Sequence, residues 1–140
     1  MFDITQFENL DEGSFNVRRQ NGDEILIDGK PVVWRMHGLG SPVQVRAEYK
    51  LTRENSASTV SALTGQKSRN AEEEAFKRGA QYISDCTIAI DNWPLSPLDT
   101  CMNRKLGYMM DQAEAYLRSA ANFMRPSTVN SPSTSDKQPG

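Results

Sequence analysis

Alternating apolar and polar residues predict a small sheet near the N-terminus. Short β-branched runs are separated there by Asn21-Gly22 and Asp28-Gly29, and such dipeptides tolerate the positive φ of two-residue hairpin turns. We therefore expect a three-stranded antiparallel β-meander over residues 14–37. A sheet this small is marginal by itself, so a helix should pack on one of its faces.

The first helix should begin after the sheet, because Ser41 is a good N-cap and Pro42 a good first helical residue. Val43, Ala47 and Leu51 would share one face, and the pattern predicts a helix over residues 42–54. Residues 55–70 are mostly small and polar. They predict a mobile connector, with one helical turn inside it left open as an alternative.

A second set of apolar residues recurs at intervals of three and four, which predicts a helix over residues 70–93. Three glutamates at 72–74 suit the positive end of its dipole. The β-branched run at 87–90 leaves a strand open as an alternative there. The residues on the predicted helical face are Phe76, Gly79, Ile83, Cys86, Ile90 and Trp93.

The third predicted helix covers residues 98–124 and carries the longest apolar stripe. Such a stripe either completes the protein's own core or binds another polypeptide. Methionines at 102, 109, 110 and 124 favour the second interpretation, because flexible thioethers adapt to more than one surface. The candidate protein-binding residues are therefore those of the stripe: Leu106, Met109, Ala113, Tyr116, Ala120 and Phe123.

Together these elements predict an α+β fold: a short N-terminal antiparallel β-meander followed by a mainly helical part of about three helices. Residues 1–124 should form a single domain, because 140 residues suffice for only one compact unit. Residues 125–140 are rich in Ser, Thr and Pro, and they predict a disordered tail.

Charge and composition narrow the possible functions. The net charge of −2 gives no field that would attract nucleic acid. No apolar run approaches the roughly 20 residues that span a bilayer, and the acidic start is unlike a signal peptide. We expect partners other than nucleic acid or membrane. Both cysteines should be free thiols in a reducing cytoplasm.

Charge is also unevenly distributed along the chain. Residues 1–28 carry seven acidic side chains against two arginines, whereas residues 29–53 carry five basic side chains against one glutamate. Segments of opposite sign attract each other within the fold or between copies of the chain. The alternative is that both are solvated faces with no special role.

Side chains suited to catalysis do not cluster in the sequence. His37 is the only histidine, and no nearby cysteine pair could complete a metal site. The Gly-Leu-Gly-Ser run at 38–41 lacks the third glycine and the lysine of phosphate-binding loops, so we interpret it as a turn and N-cap. The glutamates at 72–74 point around a helix and do not converge. We therefore expect no catalytic, cofactor-binding or metal-binding residue and no enzymatic activity.

The order of segments resembles the tail assembly chaperones of long-tailed (siphovirus-type) bacteriophages. The resemblance covers roughly residues 2–124. It lies in a strand pair around Asp28 to Val33, the Gly40-Ser41-Pro42 turn into a helix, and Trp93 at the end of a later segment. A last helix with Gln112 and a closing Asn122-Phe123 completes the pattern.

The resemblance implies a non-enzymatic protein without cofactors that acts in the host cytoplasm and is absent from the mature virion. It implies that the chain binds the tape measure protein and keeps it soluble until tail tube subunits polymerise around it. Self-association is also implied, with the tail tube protein as a further candidate partner. The alternative that we keep open is a small structural virion protein, such as a head–tail connector or tail-completion component.

Overall fold

The computed structural model describes residues 3–65 and 70–125. Those residues form five strands and four α-helices, so the predicted α+β class is confirmed. Short 3₁₀ helices lie at Ile4–Phe7, Arg104–Leu106 and Ala120–Phe123. In chain order the other elements are β1 (Glu12–Asn16), β2 (Leu26–Ile27), β3 (Lys30–Pro31), β4 (Val33–His37), α1 (Pro42–Leu63), α2 (Ala71–Asp85), β5 (Thr87–Asp91), α3 (Pro97–Met102) and α4 (Gly107–Arg118).

The main sheet is antiparallel and has the order β1-β4-β5. In the central strand β4, buried Trp34 and Met36 alternate with half-buried neighbours. Trp34 lies opposite Phe15 on one side and Ile90 on the other. Its indole N–H donates to Thr87 Oγ1 at 2.9 Å. The buried face of the sheet contributes to one core with α2, α3 and α4.

The predicted antiparallel β-meander over 14–37 is present, with one pairing that we did not predict. Arg18 forms an antiparallel bridge with Glu24, as the first hairpin requires. β1 pairs with β4, while β2 and β3 form a separate two-stranded hairpin. The segments meet at buried Val17, whose N–H donates to Val32 O and whose carbonyl accepts from Ile25 N. The chain exchanges one strand partner for another at this junction, where the β-branched side chains of Val17, Ile25 and Val32 are buried together.

The two predicted turns behave differently. Asp28 and Gly29 both have positive φ, 54° and 76°, and they join β2 to β3 as the expected two-residue turn. At the other turn Gly22 alone has positive φ, and Gly22 N–H donates to Arg19 O at 2.9 Å. Arg19 N–H also donates to Asp23 O, so this is a longer loop ending in a left-handed glycine.

The helix predicted over 42–54 extends to Leu63, so the mobile connector predicted over 55–70 is wrong for residues 55–63. The small polar side chains that suggested a loop form hydrogen bonds within the helix and with α2. Arg78 Nε donates to Asn55 Oδ1 at 2.8 Å, and Thr59 Oγ1 donates to Asn55 O at 3.0 Å. Residues 66–69 of that connector lie outside the described residues.

The single helix predicted over 70–93 is wrong beyond Asp85, and the alternative strand is confirmed as β5. Helix α2 ends at Asp85 because Thr87–Asp91 pairs with β4. A strand there occupies the hydrogen-bonding edge of β4 and buries Ile90 beside Trp34.

The helix predicted over 98–124 is broken into α3, a 3₁₀ turn, α4 and a second 3₁₀ turn. Asn103 and Ser119 have extended backbones, with ψ of 106° and 105°. Asn103 Oδ1 accepts from Lys105 N–H at 2.9 Å, which competes with helix continuation. The tail predicted to be disordered lies, from residue 126 onward, outside the described residues.

Membrane-spanning helices are not found in the described part of the chain: each helix there is too short or too polar to cross a bilayer.

Candidate functional site

The stripe of candidate binding residues lies mainly inside the protein. Met109, Ala113 and Phe123 have no solvent exposure, and Leu106 and Tyr116 are half-buried against the same core. Ala120 alone is exposed. The folded monomer therefore does not present these six residues as a binding surface. Most of the stripe completes the protein's own core, which was the alternative interpretation.

Aromatic side chains explain why the stripe is buried. The Tyr116 ring lies 4.9 Å from the Phe15 ring and 5.3 Å from the Phe123 ring, between centroids. Gly13 and Gly38 make room for Phe123, because a Cβ on either would lie 2.9 Å from an atom of that ring. These contacts pack the 3₁₀ helix Ala120–Phe123 against the sheet.

The two cysteines are free thiols, as predicted, and both are buried. Burial raises the pKa of Cys86 and of Cys101 to about 12. A thiol with such a pKa is a poor nucleophile at neutral pH. Among residues 3–65 and 70–125, no group of three or more His, Cys, Asp and Glu side chains could hold a metal ion.

The glycine-rich loop is the turn and N-cap that we expected. Gly40 has a φ of 85°, and Ser41 Oγ accepts from Gln44 N–H at 3.3 Å. Gly40 N–H donates to Gln44 Oε1 at 3.0 Å, and Ser41 N–H donates to Gly38 O. These amide donors are thus used within the turn.

The glutamates at 72–74 lie in the first turn of α2, as expected from the helix dipole. Arg104 Nη2 lies 2.7 Å from Glu73 Oε1, and the guanidinium also covers the Phe76 ring at 4.0 Å. The hydrogen bond from Arg104 lowers the pKa of Glu73. This group joins α2 to the segment that follows α3.

A groove that the sequence did not reveal lies between α1, α2 and α4. We call it the interhelical groove; its volume is about 320 Å³. The apolar lining comes from all three helices and from the turn before α1. These apolar lining residues are Leu39, Leu51, Gly79, Ile83 and Leu117.

The rim of the interhelical groove is polar and largely paired. Arg118 Nη2 lies 2.5 Å from Glu114 Oε2, and Gln44 Nε2 donates to Glu48 Oε1 at 3.2 Å. Gln44 also donates to Tyr82 Oη at 3.0 Å. Burial raises the pKa of Tyr82 to about 12. The rim is therefore pre-organised by one ion pair and by the hydrogen bonds of Gln44, and Glu48 gives it an excess negative charge.

The groove continues along α1. A second depression of about 390 Å³ shares Thr52 and Asn55 with it and ends at Val60, which is 58% exposed. From Glu48 to Val60 the helix rises by about 18 Å. The second depression is lined mainly by polar side chains, with Val60 as its one apolar residue. The apolar floor of the interhelical groove itself suits the apolar edge of another helix.

Gly79 is a residue of the groove to which the sequence drew attention. A glycine inside a helix costs about 1 kcal/mol relative to alanine, so its position prompts a search for a packing or functional reason. Here a Cβ on Gly79 would meet nothing within 4 Å. Leu39 and Leu117 carried no such signal, because neither belongs to a predicted apolar face.

Compared with protein-family models, with curated proteins and with solved structures, the chain has no match.

Proposed function

We propose that this protein is a non-enzymatic phage tail assembly chaperone that binds the tape measure protein. It keeps that long helical protein soluble and competent for tail tube polymerisation, and it self-associates while doing so. The order of sequence segments supports the family. The interhelical groove carries the binding hypothesis, because it offers an apolar floor on the outside of the folded monomer.

The physical argument is one of reversible covering. A long amphipathic client exposes apolar surface that aggregates unless another protein covers it. One groove of this size buries only part of one helix face, so each contact is weak. Many copies along the client add up to high avidity, and each copy can still leave when tube subunits arrive.

The groove can be filled from Gly79 without removing a core side chain, which gives a direct test. Gly79→Phe places a ring in the open space at Gly79, whereas Gly79→Ala leaves the groove nearly unchanged. On co-expression with the cognate tape measure protein, we expect the wild type and Gly79→Ala to keep the client soluble. Gly79→Phe should lose most of that effect while its circular dichroism spectrum stays native.

Folding of the variants separates blocked binding from damage. Gly79→Ala should unfold at a higher temperature than wild type, by the equivalent of about 0.5–1 kcal/mol. If Gly79→Phe is folded and protects the client as well as Gly79→Ala does, the groove is not the binding site. If the wild-type chain leaves the client as insoluble as it is alone, the chaperone function is wrong.

The structural virion protein that we kept open is tested separately. Mass spectrometry of purified particles should find this chain absent if it is a chaperone and present in stoichiometric amounts if it is a connector or completion protein.

A further inference from the structure

Helix α1 has an exposed face opposite the one that packs on the core. We call it the basic face; it consists of Arg46, Tyr49, Lys50, Arg53 and Val60. Successive residues turn by about 100° around a helix, so Glu48 lies away from the basic face, whereas Glu54 follows Lys50 by one turn and borders it. Tyr49 is 65% and Val60 58% exposed. Lys50 Nζ lies 3.9 Å from Asp85 Oδ2. Because this ion pair is long and solvent-exposed, it is weak, and the Lys50 ammonium can still interact with another chain.

A second exposed element has the complementary character. The N-terminal arm, residues 3–11, contains three acidic side chains and no lysine or arginine. Its 3₁₀ turn is capped by Asp3, which accepts from Thr5 N–H at 3.1 Å. Ile4 and Phe7 on that turn are 63% and 69% exposed. The acidic residues of the arm are Asp3, Glu8 and Asp11.

The base of the arm is hydrogen-bonded to the body, and Asp3 at its other end interacts electrostatically with Arg125. Leu10 N–H donates to Phe123 O at 2.7 Å, and Gly38 N–H donates to Asp11 O at 2.6 Å. Residues 3–9 are exposed, and so are the large side chains of the basic face. The arm therefore does not cover the basic face of its own chain.

We propose that the N-terminal arm of one copy binds the basic face of a second copy. Each surface offers two large exposed apolar side chains beside charges of one sign, and the two signs are opposite. On the arm these charges are mainly Glu8 and Asp11, because Asp3 already interacts with Arg125 of its own chain. Apolar burial would supply affinity, while the charges would set orientation and partner choice. In this proposal, the acidic and basic segments of the sequence attract each other through the N-terminal arm of one copy and the basic face of the next.

The contact is heterologous, since the arm and the basic face are different surfaces. Repetition therefore builds a closed ring or an open chain of copies. The inference deepens the self-association part of the proposed function, but it requires no client. It is therefore tested on the full chain alone, and its failure would leave the client assay unaffected.

The test is the molar mass of the full chain, measured by light scattering after size exclusion. At about 0.1 M salt we expect masses at or above twice the 15.7 kDa of one chain. The mass should fall towards the monomer near 1 M salt, where the screening length drops from about 10 Å to about 3 Å. A chain that is monomeric at both salt concentrations overturns the proposal, including the case in which the arm folds onto its own α1.

Charge reversal identifies the two surfaces. The triple variant Arg46→Glu, Lys50→Glu, Arg53→Glu and the arm variant Glu8→Lys, Asp11→Lys should each be monomeric. A control with the same change in net charge as the triple variant should associate like the wild type. That control is Lys30→Glu, Lys77→Glu, Lys105→Glu.

Mixing the two monomeric variants gives the decisive result. Each variant repels itself, because its arm and helix face now have the same sign. In the mixture every arm meets a face of opposite sign, so oligomers should re-form to masses near those of the wild type. If the triple variant associates as well as its control does, the basic face is not involved. If the mixture stays monomeric, the arm is not the occupant.

Discussion

At the scale of single residues, burial decides what each member of the apolar stripe does. Met109 and Ala120 belong to the same stripe in the sequence. Met109 is fully enclosed by the core, whereas Ala120 follows the break at Ser119 and is exposed. Identical substitutions at the two positions should therefore have very different effects on stability.

Met109→Asp should unfold the protein or lower its free energy of unfolding by about 5 kcal/mol, since it buries an unpaired carboxylate and removes a core side chain. Ala120→Asp should change it by less than about 0.5 kcal/mol. Denaturant unfolding followed by circular dichroism measures both values. Similar stabilities for the two variants would contradict the burial of Met109.

At the scale of elements, one hairpin turn and the start of α1 could be predicted, but the C-terminal ends of α1 and α2 could not. The Asp28-Gly29 turn and the Ser41 N-cap follow from the local preferences of those residues. The end of α2 at Asp85 does not, because it depends on β4 needing a partner on its open edge. Local geometry can be computed from neighbours in sequence, whereas strand pairing depends on a distant segment.

The Asp28 position tests the turn. Its φ of 54° suits Asp or Asn, whose side chains tolerate the left-handed region, and strains β-branched residues. Asp28→Asn should leave the free energy of unfolding within about 0.5 kcal/mol. Asp28→Val should lower it by about 1–2 kcal/mol. The comparison requires thermal and denaturant melts of both variants, and equal losses would argue against the positive φ.

At the scale of the whole molecule, several weakly acidic groups are enclosed by the same fold. Burial raises the pKa of Cys86 and Cys101 from 9.0 to about 12, and that of Tyr82 from 10.0 to about 12. Folding thus keeps protons on groups that the unfolded chain would release at lower pH.

Stability should therefore fall under alkaline conditions. Below pH 9 these groups are protonated in both states, and their contribution is fully present. Between pH 9 and 12 the unfolded chain loses its protons first, so the free energy of unfolding decreases. Denaturant midpoints should drop between about pH 8 and about pH 10.5, and Cys101→Ala should reduce the slope. An unchanged slope in that variant would show that Cys101 keeps its ordinary pKa.

Part of the candidate site was also within reach of the sequence. The asymmetry of charge between residues 1–28 and 29–53 is visible without a structure, as is Gly79 inside a helical pattern. The interhelical groove could not be predicted from the sequence, because its apolar floor brings together Leu39, Leu51 and Leu117 from three separate segments. The hydrophobic periodicity of one segment predicts the faces of that segment, and it carries no information about a groove formed between three segments.

The sequence by itself determined the α+β class, the turn at Asp28-Gly29, the start of α1 and the free thiols. Each depends on preferences of adjacent residues or on simple composition. Only the tertiary structure decided that β1 skips to β4, that β5 is a strand, and that Met109 and Phe123 are core. Those outcomes depend on burial and strand pairing between distant residues, and both are properties of the assembled fold.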